Sequence, residues 1–313
     1  VREAMVLSQT AHSAHGGVVP ELAGRMHLAS LPALVDSLLR RTGTELPDLD
    51  LVAATAGPGL VGSLLVGLSW AKALAFALRI PFIAVNHLAA HLHALYDPER
   101  PVAFPCVALL VSGGHTCLFL MSDWSRIELL GATRDDAAGE AFDKCAKVLG
   151  LPYPGGPALD SLAERGDPYG VDLPAPMPDP GDPEFSFSGL KTAAALAAAR
   201  GAIPEDLAAS FRRVVVELLV SKTVACAQQR HAGEVLVAGG VAANSLLRRE
   251  LAASCDSAGL SFRLPEAHLA TDNAVMVGLA AARLCADHPG IRSGLDCNAF
   301  ARWDGDFLET HVE

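Results

Sequence analysis

Apolar residues recur at helical spacing over Leu31 to Arg41, Leu60 to Leu78, Leu207 to Gln229 and Ala274 to Ala286, which predicts four helices. Between them lie short continuous apolar runs, Leu51 to Thr55, Val107 to Val111 and Val235 to Ala238, which read as strands buried on both faces. The alternation of the two patterns predicts an α/β protein. Two stretches interrupt it. Asp97 to Pro105 holds three prolines and three charged residues between a helix and a strand, and is read as a domain hinge. Asp167 to Pro183 holds six prolines, which can continue neither a helix nor a central strand. It is read as a surface loop, its mobility and its nearness to a site left open.

At 313 residues and 51% hydrophobic content the chain can bury a large core, and the length suggests about two domains. The longest apolar stretch, Leu60 to Val85, is interrupted by Lys72, Arg79 and Pro81, so no membrane span is predicted. No basic segment leads into an apolar run near the start, which predicts no secretory signal and, by default, a cytoplasmic location. The seven cysteines are widely separated, odd in number and never arranged C-x-x-C, so reduced packing thiols are expected rather than disulfides or a thiolate metal site. The formal net charge of -11 means that an RNA substrate would need a local basic patch or a partner. Arg40 with Arg41, Arg212 with Arg213, and Arg248 with Arg249 are candidates, although paired arginines on helices are commonly solvated surface.

His87 and His91 are one helical turn apart, so their imidazoles meet on one helix face and can share a metal ion. A zinc peptidase with this spacing needs a glutamate directly after the first histidine, and Leu88 stands there. The pair alone is equally compatible with two core histidines, and a third ligand must decide. Asp272, in Thr271-Asp272-Asn273 ahead of an apolar helical run, is either a helix cap or that missing ligand.

Two apolar strands end in Gly-Gly: Val111-Ser112-Gly113-Gly114 and Ala238-Gly239-Gly240. Such turns bring backbone N–H groups close to a ligand and favour an anion, and in the second a helix starts near Asn244. A third cluster, Tyr153-Pro154-Gly155-Gly156-Pro157, lies between Asp143 and Asp160, and carboxylates beside glycine turns suit ribose hydroxyls. The fourth, Ala56-Gly57-Pro58-Gly59, is read as packing and turn geometry.

In order along the chain, Gly16-Gly17-Val18-Val19-Pro20-Glu21-Leu22, Thr55-Ala56-Gly57-Pro58-Gly59-Leu60, the His87 and His91 pair, Val111-Ser112-Gly113-Gly114-His115-Thr116, Gly139-Glu140-Ala141-Phe142-Asp143-Lys144, Phe185-Ser186-Phe187-Ser188-Gly189-Leu190-Lys191, Ala238-Gly239-Gly240-Val241 and Thr271-Asp272-Asn273 closely resemble the bacterial TsaD family. These are tRNA N6-adenosine threonylcarbamoyltransferases, formerly described as O-sialoglycoprotein endopeptidases. The resemblance implies a two-lobed α/β fold of the actin, Hsp70 and sugar-kinase type, with residues 1–100 and a C-terminal helix at about 273–300 in one lobe and 101–272 in the other. It implies that His87, His91 and Asp272 bind one Fe(2+), or Zn(2+), per subunit. Leu110, Val111, Ser112, Gly113, Gly114, Asp143, Gly156, Asp160 and Asn244 would bind threonylcarbamoyl-AMP, and the acyl group would pass to N6 of adenosine 37 in tRNAs reading ANN codons. Archaeal relatives carry a metal-binding tyrosine where this chain has Leu110. The Gly113 and Gly114 amides are the chosen phosphate or oxyanion contacts, with Lys191 a further phosphate candidate or a surface ion pair. Implied partners are a smaller TsaB-like paralogue and a TsaE-like ATPase.

Family members begin with a strand, a turn and a second strand, whereas this chain starts at what reads as the third strand, Val1 to Ser8. The expectation is that the first hairpin is lacking and that Val1 to Ser8 borders an open apolar groove. Against the acyltransferase stand two alternatives: the metallopeptidase of the older name, and a catalytically impaired nucleotide-binding scaffold.

Overall fold

The computed structural model describes residues 1–7 and 19–303. Helix α1 (Pro20–Thr42) opens on Pro20, whose ring presets the first helical φ, and closes on Gly43 at φ 62°. It begins well before the expected Leu31, because the exposed Pro32 sits inside it rather than ahead of it. Strands β1 (Val52–Gly57) and β2 (Phe82–Asn86) run parallel, with Val52 opposite Phe82, so helix α2 (Val61–Leu78) must cross over between them. Leu68, Ala71 and Ala75 of α2 pack with Ala56, Phe82 and Ala84 into one core. By length and composition alone α2 could cross a membrane; in the structure it packs on β1 and α1. Helix α3 (His87–His93) follows β2 directly, and its N-cap Asn86 accepts the Leu88 amide at 2.8 Å and the Ala89 amide at 3.3 Å.

The following strands build a five-stranded mixed sheet in the order β5-β4-β3-β6-β7. β3 (Cys106–Val111), β4 (Thr116–Met121) and β5 (Ile127–Ala132) form an antiparallel meander, while β6 (Glu234–Ala238) and β7 (Ser261–Arg263) add in parallel. β3 is buried along its whole length, as its unbroken apolar run requires. Val107, Leu109 and Val111 face a core shared with α4 (Ala138–Val148), α5 (Gly155–Ala163), α6 (Ser188–Ala199) and α7 (Pro204–Gln229). α8 (Ser245–Ser257) packs on α7, and α9 (Ala274–Asp287) packs on α3. Val1–Ala94 with Asp272–Glu313 make one compact unit, and Leu95–Thr271 make the other.

Two expectations are corrected. Val1–Leu7 form no strand: Val1, Val6 and Leu7 stay exposed and have no ladder partner among the described residues, while Ser8 and the Gly16-Gly17 motif lie outside them. The C-terminal helix does not run to about residue 300. It ends at Asp287, before Pro289 and Gly290 at φ 91°, and the chain then lies along the small sheet, with Ser293 N–H bonded to the Phe82 carbonyl and Phe300 N–H to that of Ala56. Lys72 fixes this segment by donating to the carbonyls of Leu295 and Cys297 at 3.0 and 2.8 Å. The 167–183 loop contains no helix or strand but is held in place: Lys222, fully buried on α7, donates its Nζ to the carbonyl oxygens of Asp179 and Asp182. The proline stretch after Asp97 is likewise anchored, by Arg263 donating to the Arg100 and Pro101 carbonyls while paired with buried Glu234 at 2.9 Å.

Candidate metal centre and ligand pocket

In the first unit, the Asn86 cap sets the start of α3 so that His87 and His91 project from consecutive turns. Asn273 caps α9 through the Met276 amide at 2.9 Å, which places the preceding Asp272 where α9 meets α3. The His87 and His91 Nε2 atoms lie 3.7 and 3.1 Å from the same oxygen, Oδ1 of Asp272, and the donor atoms of the three residues all fall within 4.8 Å of one another. The 3.1 Å approach is not directed as a hydrogen bond, and neither ring nitrogen of the buried His91 has a hydrogen-bond partner. Two imidazole nitrogens and a carboxylate oxygen aimed at a common point suit a small divalent cation, since donors at roughly 2.0 to 2.2 Å from a metal sit about 3 to 3.5 Å apart. His91 is 1% exposed and Asp272 77%, so an ion there would be held from inside and open on the outside. Its neighbour His93 is outside the donor set: Nδ1 bonds the Ala89 carbonyl at 2.8 Å, and burial pushes its pKa down to about 4.

His87 and Asp272 also line an open cleft of about 720 Å³ whose walls are Leu31, Leu34, Leu51, Leu64 and Val277. Met5, Val6 and Leu7 border this apolar cleft without forming the expected strand.

In the second unit, a cavity of about 690 Å³ is lined by Gly113, Gly139, Phe142, Asp143, Gly156, Asp160, Glu164, Gly240, Asn244, Arg249 and Thr271. Backbone comes close at one side of it: Gly139 leaves no room for a side chain, because a Cβ there would lie 2.4 Å from the Ser112 carbonyl oxygen. By contrast a Cβ at Gly113, Gly114 or Gly156 meets nothing within 4 Å, so these positions face open space. Gly113 and Gly114 form the β3–β4 hairpin turn, not a strand-to-helix turn, and Ser112 Oγ accepts the Gly114 and His115 amides at 3.3 and 3.1 Å.

Both acidic residues are fixed by hydrogen bonds. Asp143 Oδ1 accepts the Gly155 and Gly156 amides at 2.8 and 3.2 Å, and burial raises its pKa in spite of them. Asp160 Oδ1 accepts from Arg212 Nη1 at 2.8 Å and from Asn244 Nδ2 at 2.9 Å, while Oδ2 accepts the Ser245 amide at 3.2 Å. Asn244 thereby uses both ends of its amide, its Oδ1 capping α8 at the Leu247 N–H.

Of the ligand residues expected from sequence, Gly113, Asp143, Gly156, Asp160 and Asn244 come together around this cavity. Leu110 and Val111 do not reach it: both are 0% exposed inside β3 and support the turn from below. Lys191 pairs with Asp136 at 3.0 Å, the same carboxyl group that binds Lys144. Phe142, Glu164 and Arg249 line the cavity but were not anticipated. Phe142 was within reach of the sequence, in Gly139-Glu140-Ala141-Phe142-Asp143; Glu164 carries no local signal.

A family model described as TsaD, tRNA N6-adenosine threonylcarbamoyltransferase, matches residues 1–279. A Geobacter metallireducens protein named tRNA N6-adenosine threonylcarbamoyltransferase is 47% identical over 308 residues, 96% of this chain and 89% of that protein. One of the same name from Geobacter sulfurreducens is 46% identical, over 95% of this chain and 88% of its own. The crystal structure of T. kodakarensis HypF superimposes with a TM-score of 0.62 at 16% identity, over 82% of this chain and 42% of that one, which establishes a shared α/β fold alone.

Proposed function

The chain belongs to the TsaD family of tRNA N6-adenosine threonylcarbamoyltransferases, and from that premise we propose how its residues form N6-threonylcarbamoyladenosine in tRNA. The acyl donor is threonylcarbamoyl-AMP and the acceptor is adenosine 37 of tRNAs reading ANN codons. The exocyclic amine attacks the carbamoyl carbon, the new N–C bond forms, the bond to the phosphate oxygen breaks, the amine loses a proton and AMP leaves. An adenine amine is a weak nucleophile, so rate enhancement comes from holding donor and acceptor in place and from stabilising charge on the oxyanion and departing phosphate.

The donor's nucleotide occupies the glycine-lined cavity of the second unit, with Asp143 and Asp160 accepting from hydroxyl groups and the Gly113 amide donating to phosphate or oxyanion; the Gly114 amide, the other contact expected from sequence, is taken by Ser112 Oγ. His87, His91 and Asp272 would hold one iron or zinc ion, which when bound would supply Lewis-acid polarisation of an acyl oxygen. What supports the metal assignment is the orphaned, buried His91 imidazole beside a carboxylate oxygen it does not hydrogen-bond. Leu88, 1% exposed, leaves the histidine pair without the adjacent general base of a zinc peptidase.

The two units are read as the lobes of an actin, Hsp70 and sugar-kinase type fold, and the protein as cytoplasmic, where seven free thiols stay reduced. A TsaB-like paralogue and a TsaE-like ATPase are its partners. The apolar residues left uncovered on α1 and α2, Leu28 at 68%, Leu65 at 43% and Phe76 at 72% exposure, favour a protein docked there.

The deciding experiment supplies the protein and its partners with threonylcarbamoyl-AMP and unmodified tRNA, then measures modified adenosine by nucleoside mass spectrometry. Product is expected, and H91A and D272A are expected to lose both product and bound metal. Metal retained by H91A and D272A would overturn the metal assignment, full activity of a metal-free H91A protein would overturn the ion's part in the reaction, and absence of product from the intact system would overturn the reaction itself.

A further inference from the structure

Arg212 sits midway along α7 with its side chain only 8% exposed, although its neighbour Arg213 reaches outward to the Pro168 carbonyl and stacks over Tyr169 at 4.6 Å. A buried guanidinium is costly unless its donors are matched. Here Nη1 is shared among Asp160 Oδ1 at 2.8 Å, the Asp160 carbonyl oxygen at 3.2 Å and Glu164 Oε1. One cation therefore bridges two carboxylates that both line the cavity. Asp160 Oδ1 is fully occupied by Arg212 and Asn244, whereas Oδ2 accepts only the Ser245 amide and keeps acceptor capacity.

We propose that Arg212 is a positioning residue for the nucleotide: it locks the Asp160 carboxylate in the one orientation that presents Oδ2 to a ribose hydroxyl. The inference rests on reading the cavity as the nucleotide site. Arginine suits the task because its rigid, planar guanidinium holds Nη1, the one nitrogen that meets both carboxylates, at a fixed point, which the freely rotating ammonium of lysine does not; Nε is buried and makes no hydrogen bond. With the second acceptor, Glu164, one guanidinium faces two carboxylates, so the trio is net negative and disfavours a phosphate at the Asp160 end of the cavity.

The test uses the full-length chain and two probes, AMP and 2′,3′-dideoxy-AMP, with affinities read by calorimetry and folding by thermal melting. Wild-type protein is expected to prefer AMP by about tenfold or more, the worth of a hydrogen bond to a charged acceptor. D160N and R212M should each abolish that preference by weakening AMP while leaving the dideoxy probe within about twofold. R212K should retain part of it, and carries the same test should R212M fail to fold. In the R212M/D160N double variant AMP should bind no more weakly than in D160N alone, as expected when one residue acts through the other. Equal weakening of both probes by R212M, or an effect that adds in full to D160N, would overturn the proposal. If wild-type protein binds neither probe, or D160N leaves AMP affinity unchanged, the nucleotide reading of the cavity fails and this proposal with it.

Discussion

Asp135 accepts hydrogen bonds from the Ser186 hydroxyl and from the amide and hydroxyl of Ser188, and from the Phe187 amide, thereby tying the Phe-Ser-Phe-Ser segment to the start of α6. Partial burial acts to raise its pKa, but these bonds outweigh burial and hold it down at about 2, against 3.8 for the free side chain. A lowered carboxylate pKa stabilises the fold above the unfolded value and loses that contribution as protonation proceeds. The stability gap between wild type and D135N should therefore be constant above pH 5 or so, shrink from about pH 4 downward and largely vanish near pH 2. Urea melts across that range would show it, and a gap independent of pH would refute it. The cysteines follow the same logic with the opposite sign. Burial pushes Cys106, Cys117 and Cys145 up to about 12, so in the native protein a thiol reagent at neutral pH should label the half-buried Cys285 and Cys297 first, as peptide mapping would reveal. At this scale the sequence was legible where chemistry imposes spacing or glycine. The i,i+4 histidines converge on Asp272, and the Gly113 and Gly156 turns face the cavity. Arg212 was illegible because a doubled arginine on a helix looks the same whether it faces water or the core.

Asparagine begins three of the helices that carry site residues: Asn86 caps α3, Asn244 caps α8 and Asn273 caps α9. In each the side-chain oxygen satisfies an amide of the first turn, and the adjacent site residue inherits its position from that bond. N86A should cost about 1 kcal/mol of stability, the usual value for losing such a cap. It should also weaken metal retention, because His87 begins the turn that the cap organises. Denaturant melts and metal analysis after dialysis would test both, and a destabilised protein that still kept its metal would separate the cap from the site. Element positions were readable from periodicity at α2, α7, β3 and β6, whose observed ends lie within a few residues of expectation. They were misread where tertiary partners decide. Residues 293–300 carry their backbone bonds to β1, β2 and Lys72 instead of to a helix, and Val1–Leu7 pair with no strand among the described residues. Periodicity reports which face a segment buries, not whether another segment is there to receive its hydrogen bonds.

Across the molecule, a formal charge of -11 gives the chain little attraction of its own for a polyanion such as tRNA. Its uncovered apolar residues on α2 suit a protein partner instead. Replacing Leu65 and Phe76 with aspartate should leave the melting temperature essentially unchanged, since both side chains already meet solvent, yet abolish association with the proposed TsaB-like partner in analytical ultracentrifugation. Retained association would place the partner elsewhere. The first unit is made from both ends of the chain, Val1–Ala94 and Asp272–Glu313, with the other unit inserted between them. A ribosome that has released His87 and His91 must translate the whole intervening unit before Asp272 emerges. Two of the three donors must therefore wait, and the inserted unit, continuous in sequence, can fold first. On the proposed metal reading, loading of an ion would fall at the end of biogenesis: a nascent chain stalled before Asp272 would carry the glycine-lined cavity complete and only two of the three donors.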